Sequence, residues 1–182
     1  MSRRVTYLEE KPKAQVLIRE IQMGEIRAAG FVIFRRLSNQ IQYLLMQASY
    51  EPFHWTPPKG ILAINFERYQ SEKVTIFYYP GHVEEGEDNM ETAKRETKEE
   101  AGIDFKDLKL TDFTKSLRYE VKGKPKVSVY FLAELVNPDT PVILSHEHKA
   151  FDWLQIDDAC KSANFADMQE LLNECQAYID KV

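Results

Sequence analysis

Cysteine is scarce in this 182-residue chain: Cys160 and Cys175 have no CxxC spacing and no second pair. A zinc site therefore has nothing to build on, and two small buried hydrophobes in a reducing compartment explain the thiols more simply than a disulfide. No apolar run approaches the roughly 18–20 residues that span a bilayer, and the opening MSRRVTYLEEKPK has no apolar secretion segment. The expectation is a cytoplasmic chain with no membrane partner, a nuclear or mitochondrial pool being left open. A basic excess is also missing, since 24 Lys and Arg face 29 Asp and Glu for a net charge of −5. That balance argues against long nucleic acid as a partner. With seven Gly and eight Pro, low complexity is absent, and 43% hydrophobic and 12% aromatic residues suffice for one globular core.

Residues 1–22 carry five basic and three acidic side chains and few apolar ones, and read as a poorly ordered extension upstream of Met23. The domain proper is expected over 27–180. Apolar runs at 27–36 and 42–48 flank the turn-like 37–40 and read as two strands, followed by the loop HWTPPKG. Asp88 and Glu91 make a capping box for a helix over 89–101 that Gly102 stops. Segments 108–121 and 127–136, joined by Lys-Gly-Lys-Pro, read as a hairpin. A last helix over 166–179 aligns Met168, Leu171, Leu172, Cys175, Tyr178 and Ile179 as a core stripe. This order suits a mixed sheet with helices on both faces.

The chemistry concentrates at 81–103. On a helix, Glu96, Glu99 and Glu100 share an arc of about 100°, beside a small buried face carrying Ala93 and Thr97. From 84 to 104, three basic residues face nine acidic ones. Like charges at these spacings repel, which a solvated helix with Glu91–Arg95 and Arg95–Glu99 pairs tolerates and a hard divalent cation removes. The hairpin at 114–126 is the counterweight, with five basic residues against Glu120 alone. A polyphosphate and a cation fit between these opposite charges.

The segment also fits the pattern GxxxxxE, seven residues, REUxEExGU, through Gly81, Glu87, Arg95, Glu96, Glu99, Glu100, Gly102 and Ile103, with Thr97 at the one aliphatic position that departs. It resembles the Nudix box. QASYEPFHWTPPKG, KGKPK, LSHEH and the NFADM region extend the resemblance to the animal branch of the Nudix hydrolases that acts on diadenosine tetraphosphate. The resemblance implies an α/β Nudix fold, an α/β/α sandwich with a mixed sheet and the box as a loop-helix. It further implies a monomer that takes a small-molecule dinucleoside polyphosphate, uses Mg2+ or alternatively Mn2+, and yields ATP and AMP. By the same resemblance Glu96, Glu99, Glu100 and Glu147 hold metal, with Glu99, or Glu96, as the base that activates water. Lys59, Lys124 and Lys126 are expected at the phosphates, His54 and His146 either at the phosphates or orienting Glu147, and Tyr119 and Phe165 at the bases. His148 either contacts phosphate or orients Glu147. Arg95 and Glu87 are expected as a structural ion pair, and Gly81 and Gly102 as box glycines.

One feature breaks the resemblance. Residues 61–81 interrupt HWTPPKG–HVEEGED, and deleting them restores it without a seam. They read as a retained intron or as a genuine hairpin insertion, and either Gly60 or Gly81 then fills the box glycine's place. Other Nudix substrates, RNA 5′ ends and diphosphoinositol polyphosphates, and a nucleotide-binding protein whose catalysis the insertion has spoiled, are the competing readings.

Overall fold

The computed structural model describes residues 25–62 and 87–182. The expected extension over 1–22, most of the interruption over 61–81, and Gly81 itself lie outside the described residues.

Strand β1 (Ile26–Leu37) is a nearly continuous apolar run because both of its faces are covered. Ala29, Phe31 and Ile33 enter one core, while Val32 and Phe34 enter the other. It turns at Ser38 and Asn39, whose φ angles of 51° and 66° match a two-residue hairpin, into antiparallel β2 (Gln40–Ala48). The short β3 (Trp55–Thr56) pairs with β2, and β4 (Lys59–Ile61) pairs with β1. The long hairpin β5 (Leu108–Val121) and β6 (Lys124–Leu135) lies on the other side of β1, with β6 running parallel to it. The path β3-β2-β1-β6-β5 is thus a mixed sheet, with β7 (His148–Leu154) added to β2.

The β5–β6 turn is shorter than the four-residue Lys-Gly-Lys-Pro link suggested. Lys122 and Gly123 alone form it, at φ 52° and 75°, and Lys124 and Pro125 already belong to β6. Proline is tolerated there because β1 begins to pair with β6 only at Lys126, so Pro125 has a neighbour on one side.

Helix α1 (Asn89–Ala101) covers one face of the sheet, placing Ala93 and Ala101 against Phe31 and Ile33. Helices α2 (Ile156–Ala163) and α3 (Ala166–Ile179) cover the other, where Met168, Leu171, Leu172, Cys175 and Ile179 meet Val32, Phe34 and Tyr43. This is the expected α/β/α sandwich, and the stripe on α3 is core. Both cysteines are free, Cys175 in that core and Cys160 at its edge. No helix among the described residues is long and apolar enough to cross a membrane.

Candidate active site

Local sequence sets α1 first. The Asp88 carboxylate caps the helix by accepting from the Met90 and Glu91 amides, while the Glu91 carboxylate takes Lys94 at 2.7 Å rather than closing the capping box. Gly102 ends the helix at φ 72°. The next segment is hung on the helix's last free carbonyls: the amide of Ile143 donates to Ala101 O at 2.9 Å and that of Ser145 to Glu100 O at 3.1 Å. One helix end therefore carries both the box glutamates and the loop with Glu147.

Gly60 is what lets the Lys59–Gly60 stem approach this face. A Cβ at Gly60 would overlap the Glu96 carboxylate, and the Lys59 amide donates to Glu100 Oε2 at 2.7 Å. Of the two glycines the interruption offers, Gly60 occupies the close approach to the box helix.

The carboxylates differ sharply in setting. Glu100 is buried, and desolvation pushes its pKa up to about 8 against the pull of Lys59. Burial also raises Glu96, with Glu99 and Glu147 adding to the shift and Arg95 opposing it. Glu99 has a side chain 57% exposed and is held by Arg95 at 3.0 Å. Arg95 also grips Glu96 at 2.8 Å and Glu87 at 2.7 and 3.1 Å, so the expected Arg95–Glu87 pair is present and bidentate. Glu147 is exposed; its backbone carbonyl takes the Ser49 amide at 2.8 Å, and its charge acts on Lys59, Glu96 and Glu100.

Opposite the acids lie two half-buried lysines. Burial lowers Lys59, against Glu100, Glu96 and Glu147, while its Nζ donates to Thr56 Oγ1 at 3.2 Å. Lys126 falls to about 8 through burial and the neighbouring Lys59 charge. Two desolvated ammonium groups side by side are unfavourable alone and suit an anion. His54 is lowered by burial and by both lysines.

Aromatic rings flank the cations. Tyr119 lies under Lys126, whose Nζ is 5.9 Å from the ring centroid, and its hydroxyl contacts Ser128 Oγ at 2.9 Å. Phe165 is 49% exposed and meets His54 edge-on at 6.1 Å. Tyr50 approaches the other side of His54 at 5.9 Å; it is a site aromatic that strand periodicity does not reveal, four residues before the histidine in a loop.

His146 and Lys124 lie at the surface, apart from the inward-facing residues of the site. His146 is exposed and makes no hydrogen bond or ring contact among the described residues, whereas His148 turns inward, with Nε2 4.0 Å from Glu100 Oε1. Both follow SHEH spacing, but only His148 begins β7. Lys124 is exposed at the hairpin tip, two residues before the half-buried Lys126.

The donor set, carboxylate oxygens without thiols, suits a hard divalent cation, and the desolvated Glu96 and Glu100 are carboxylates that such a charge would relieve. Among the described residues no three acidic, His or Cys side chains converge on one point, because Arg95 draws Glu96 and Glu99 to itself and Lys59 takes an oxygen of Glu100.

The NUDIX domain model matches residues 25–175. An asymmetrical bis(5′-nucleosyl)-tetraphosphatase of Caenorhabditis elegans is 44% identical over 155 residues, spanning 85% of this chain and 96% of that protein. The protein of the same description from Sus scrofa is 41% identical over 161 residues, spanning 85% and 95%. The crystal structure of a C. elegans Ap4A hydrolase binary complex superposes with a TM-score of 0.72 at 44% identity, covering 86% of this chain and 99% of that one.

Proposed function

The chain belongs to the NUDIX domain family, and from that premise we propose that it hydrolyses diadenosine tetraphosphate asymmetrically, to ATP and AMP. The observation that carries this reading is the pairing of half-buried Lys59 and Lys126 with the carboxylates of Glu96 and Glu100 on one box helix. The lysines are the cations in this site that would take phosphate charge. Tyr119 and Phe165 offer aromatic faces to an adenine, and His54 lies between Phe165 and the lysines.

Glu96, Glu99, Glu100 and Glu147 are the residues for a divalent cation, Mg2+ ahead of Mn2+, whose chemistry is to polarise water and neutralise the polyphosphate. The chain's own residues do the rest. Water forms a bond to one phosphorus, a bridging P–O bond breaks, and the water proton passes to a carboxylate. Glu100 is the base we favour: it is buried, and the Lys59 amide fixes one oxygen, whereas Glu99 is exposed and tied to Arg95. Arg95 and Glu87 hold the helix face in register.

A panel of diadenosine tetraphosphate, 5′-triphosphorylated RNA and a diphosphoinositol polyphosphate, each with Mg2+, tests the substrate class. Turnover confined to the dinucleotide is expected, and faster turnover of either other class contradicts it. Glu100→Gln, Glu99→Gln and Glu96→Gln separate the three base candidates by which one removes kcat by at least about a hundredfold, the range for a positioned general base.

A further inference from the structure

We infer that His148 is a positioning residue that fixes the second oxygen of Glu100. Glu100 is held on one side only: Oε2 accepts the Lys59 amide at 2.7 Å, while Oε1 faces His148 Nε2 at 4.0 Å. Both side chains are sealed from solvent, His148 at 8% and Glu100 at 9% exposure.

Backbone geometry aims the imidazole there. The β2–β7 pairing steps from Gln47–Ala150 to Ala48–His148 and skips Lys149, so a bulge at the start of β7 breaks strict alternation. The His148 amide donates to Ser145 O at 3.2 Å, and the Ser145 amide to Glu100 O at 3.1 Å. The ring is thereby tied, through two backbone bonds, to the residue it faces.

Packing alone does not account for the side chain. His148 Nδ1 is buried with no hydrogen-bond partner among the described residues, an arrangement an apolar side chain would avoid. A proton on Nε2 leaves Nδ1 as the unpaired acceptor and makes Nε2 a donor toward Oε1. The bond forms when the two groups approach by about 1 Å from their 4.0 Å separation. Glu100 is then gripped at both oxygens, by an amide and by an imidazole, and offers its remaining lone pairs in one orientation. Groups that orient metal-binding carboxylates typically matter by 10–100-fold.

This inference rests on the role proposed for Glu100, and the test separates the two. Full-length wild type, His148→Ala, His148→Gln and His148→Asn are titrated with Mn2+ alone by electron paramagnetic resonance, assayed for kcat and KM on diadenosine tetraphosphate, and melted. The glutamine amide nitrogen reaches the position of Nε2; the asparagine nitrogen reaches only that of Nδ1. Alanine and asparagine are expected to weaken Mn2+ and lower kcat by about tenfold with KM within about twofold, and glutamine to recover both to within about threefold. Mn2+ affinity unchanged in His148→Ala, or glutamine as impaired as alanine at equal melting temperature, overturns the inference. Glu100→Gln with wild-type turnover removes the role proposed for Glu100 instead, and the Mn2+ titration still decides for or against His148.

Discussion

At Gly60 a single absent carbon decides the site. Its Cβ would lie inside the Glu96 carboxylate, so Gly60→Ala must displace either the Lys59–Gly60 stem or Glu96. We expect a folded protein, by circular dichroism, with kcat down at least about tenfold, since a misplacement near 1 Å is that damaging in catalysis. Wild-type kcat would contradict the close approach. Sequence alone leaves Gly60 and Gly81 equivalent, because both end a Pro-containing turn and the contact with Glu96 is tertiary. Thr97, the one departure from the family pattern, carries the opposite expectation: it is 1% exposed and its hydroxyl has no partner among the described residues. Thr97→Val should leave activity intact and be neutral or stabilising by about 1 kcal/mol in thermal melts, because a buried unpaired hydroxyl is removed at constant shape. Glu100 sets a pH dependence. Its folded pKa, about 8, lies above the unfolded carboxylate value, so the part of the metal-stripped protein's stability that Glu100 contributes declines as pH rises from about 5 through 8. His148, lowered to about 4, works the other way between about pH 4 and 6.5, and Lys126, lowered to about 8, does so from about pH 8 upward, so the Glu100 contribution is read as a difference against Glu100→Gln, which carries both groups. The melting-temperature difference between Glu100→Gln and wild type in chelator should therefore grow from pH 5 to above 8; a flat difference would contradict the buried-carboxylate picture.

Among the elements, α1 was the most legible. Asp88, the buried Ala93 and Gly102 bound it in the sequence as they do in the structure, and α3 shows its stripe over all of its 14 residues. The eight-residue α2 and seven-residue β7 are too short for their periodicity to stand out, and β7 starts with a bulge. That bulge is why SHEH spacing could not separate His146 from His148: the inward turn depends on a pairing register with β2, not on local sequence. The site lysines were half legible, because alternation along β6 shows that Lys124 and Lys126 share a face but not where β1 begins to cover it. Gly102 joins α1 to the Glu147 loop. It combines φ 72° with a space that a Cβ would share with Ile143 Cβ at 2.8 Å. Gly102→Ala is expected to lower stability by more than about 1 kcal/mol, the usual left-handed penalty for a non-glycine residue, and to reduce kcat as well, because the Ile143 and Ser145 amides lose their register on the helix end. A variant that loses stability but keeps kcat would show that the loop is not placed by the helix terminus.

On the scale of the whole molecule, the net charge of −5 conceals a separation: acids gather on α1, and cations on the β5–β6 hairpin and the Lys59 stem. The fold brings the two sets to one place. The interruption of the family pattern does not part them, because its first residues are built into the sheet: Ile61 pairs with Ala28, the Leu62 amide donates to Arg27 O at 3.0 Å, and Leu62 is buried in the α1-side core. In the uninterrupted order His82 and Val83 would follow Gly60 in those two places. Deleting 61–81 or deleting 63–83 gives chains of equal length that differ only there. Both should fold and keep kcat within about threefold of the full chain, since each doubling of a surface loop changes stability by only about 0.6 kcal/mol. A large gain in kcat on deletion would mean instead that the interruption obstructs the site.

The most direct measurement is product analysis after incubating the 182-residue chain with diadenosine tetraphosphate, Mg2+ and ¹⁸O-labelled water. ATP and AMP in equal amounts, with the label in one product only, is the expected result, and it also identifies the attacked phosphorus. Two molecules of ADP, or no turnover in the full chain and in both deletion variants, would contradict asymmetric cleavage at this site.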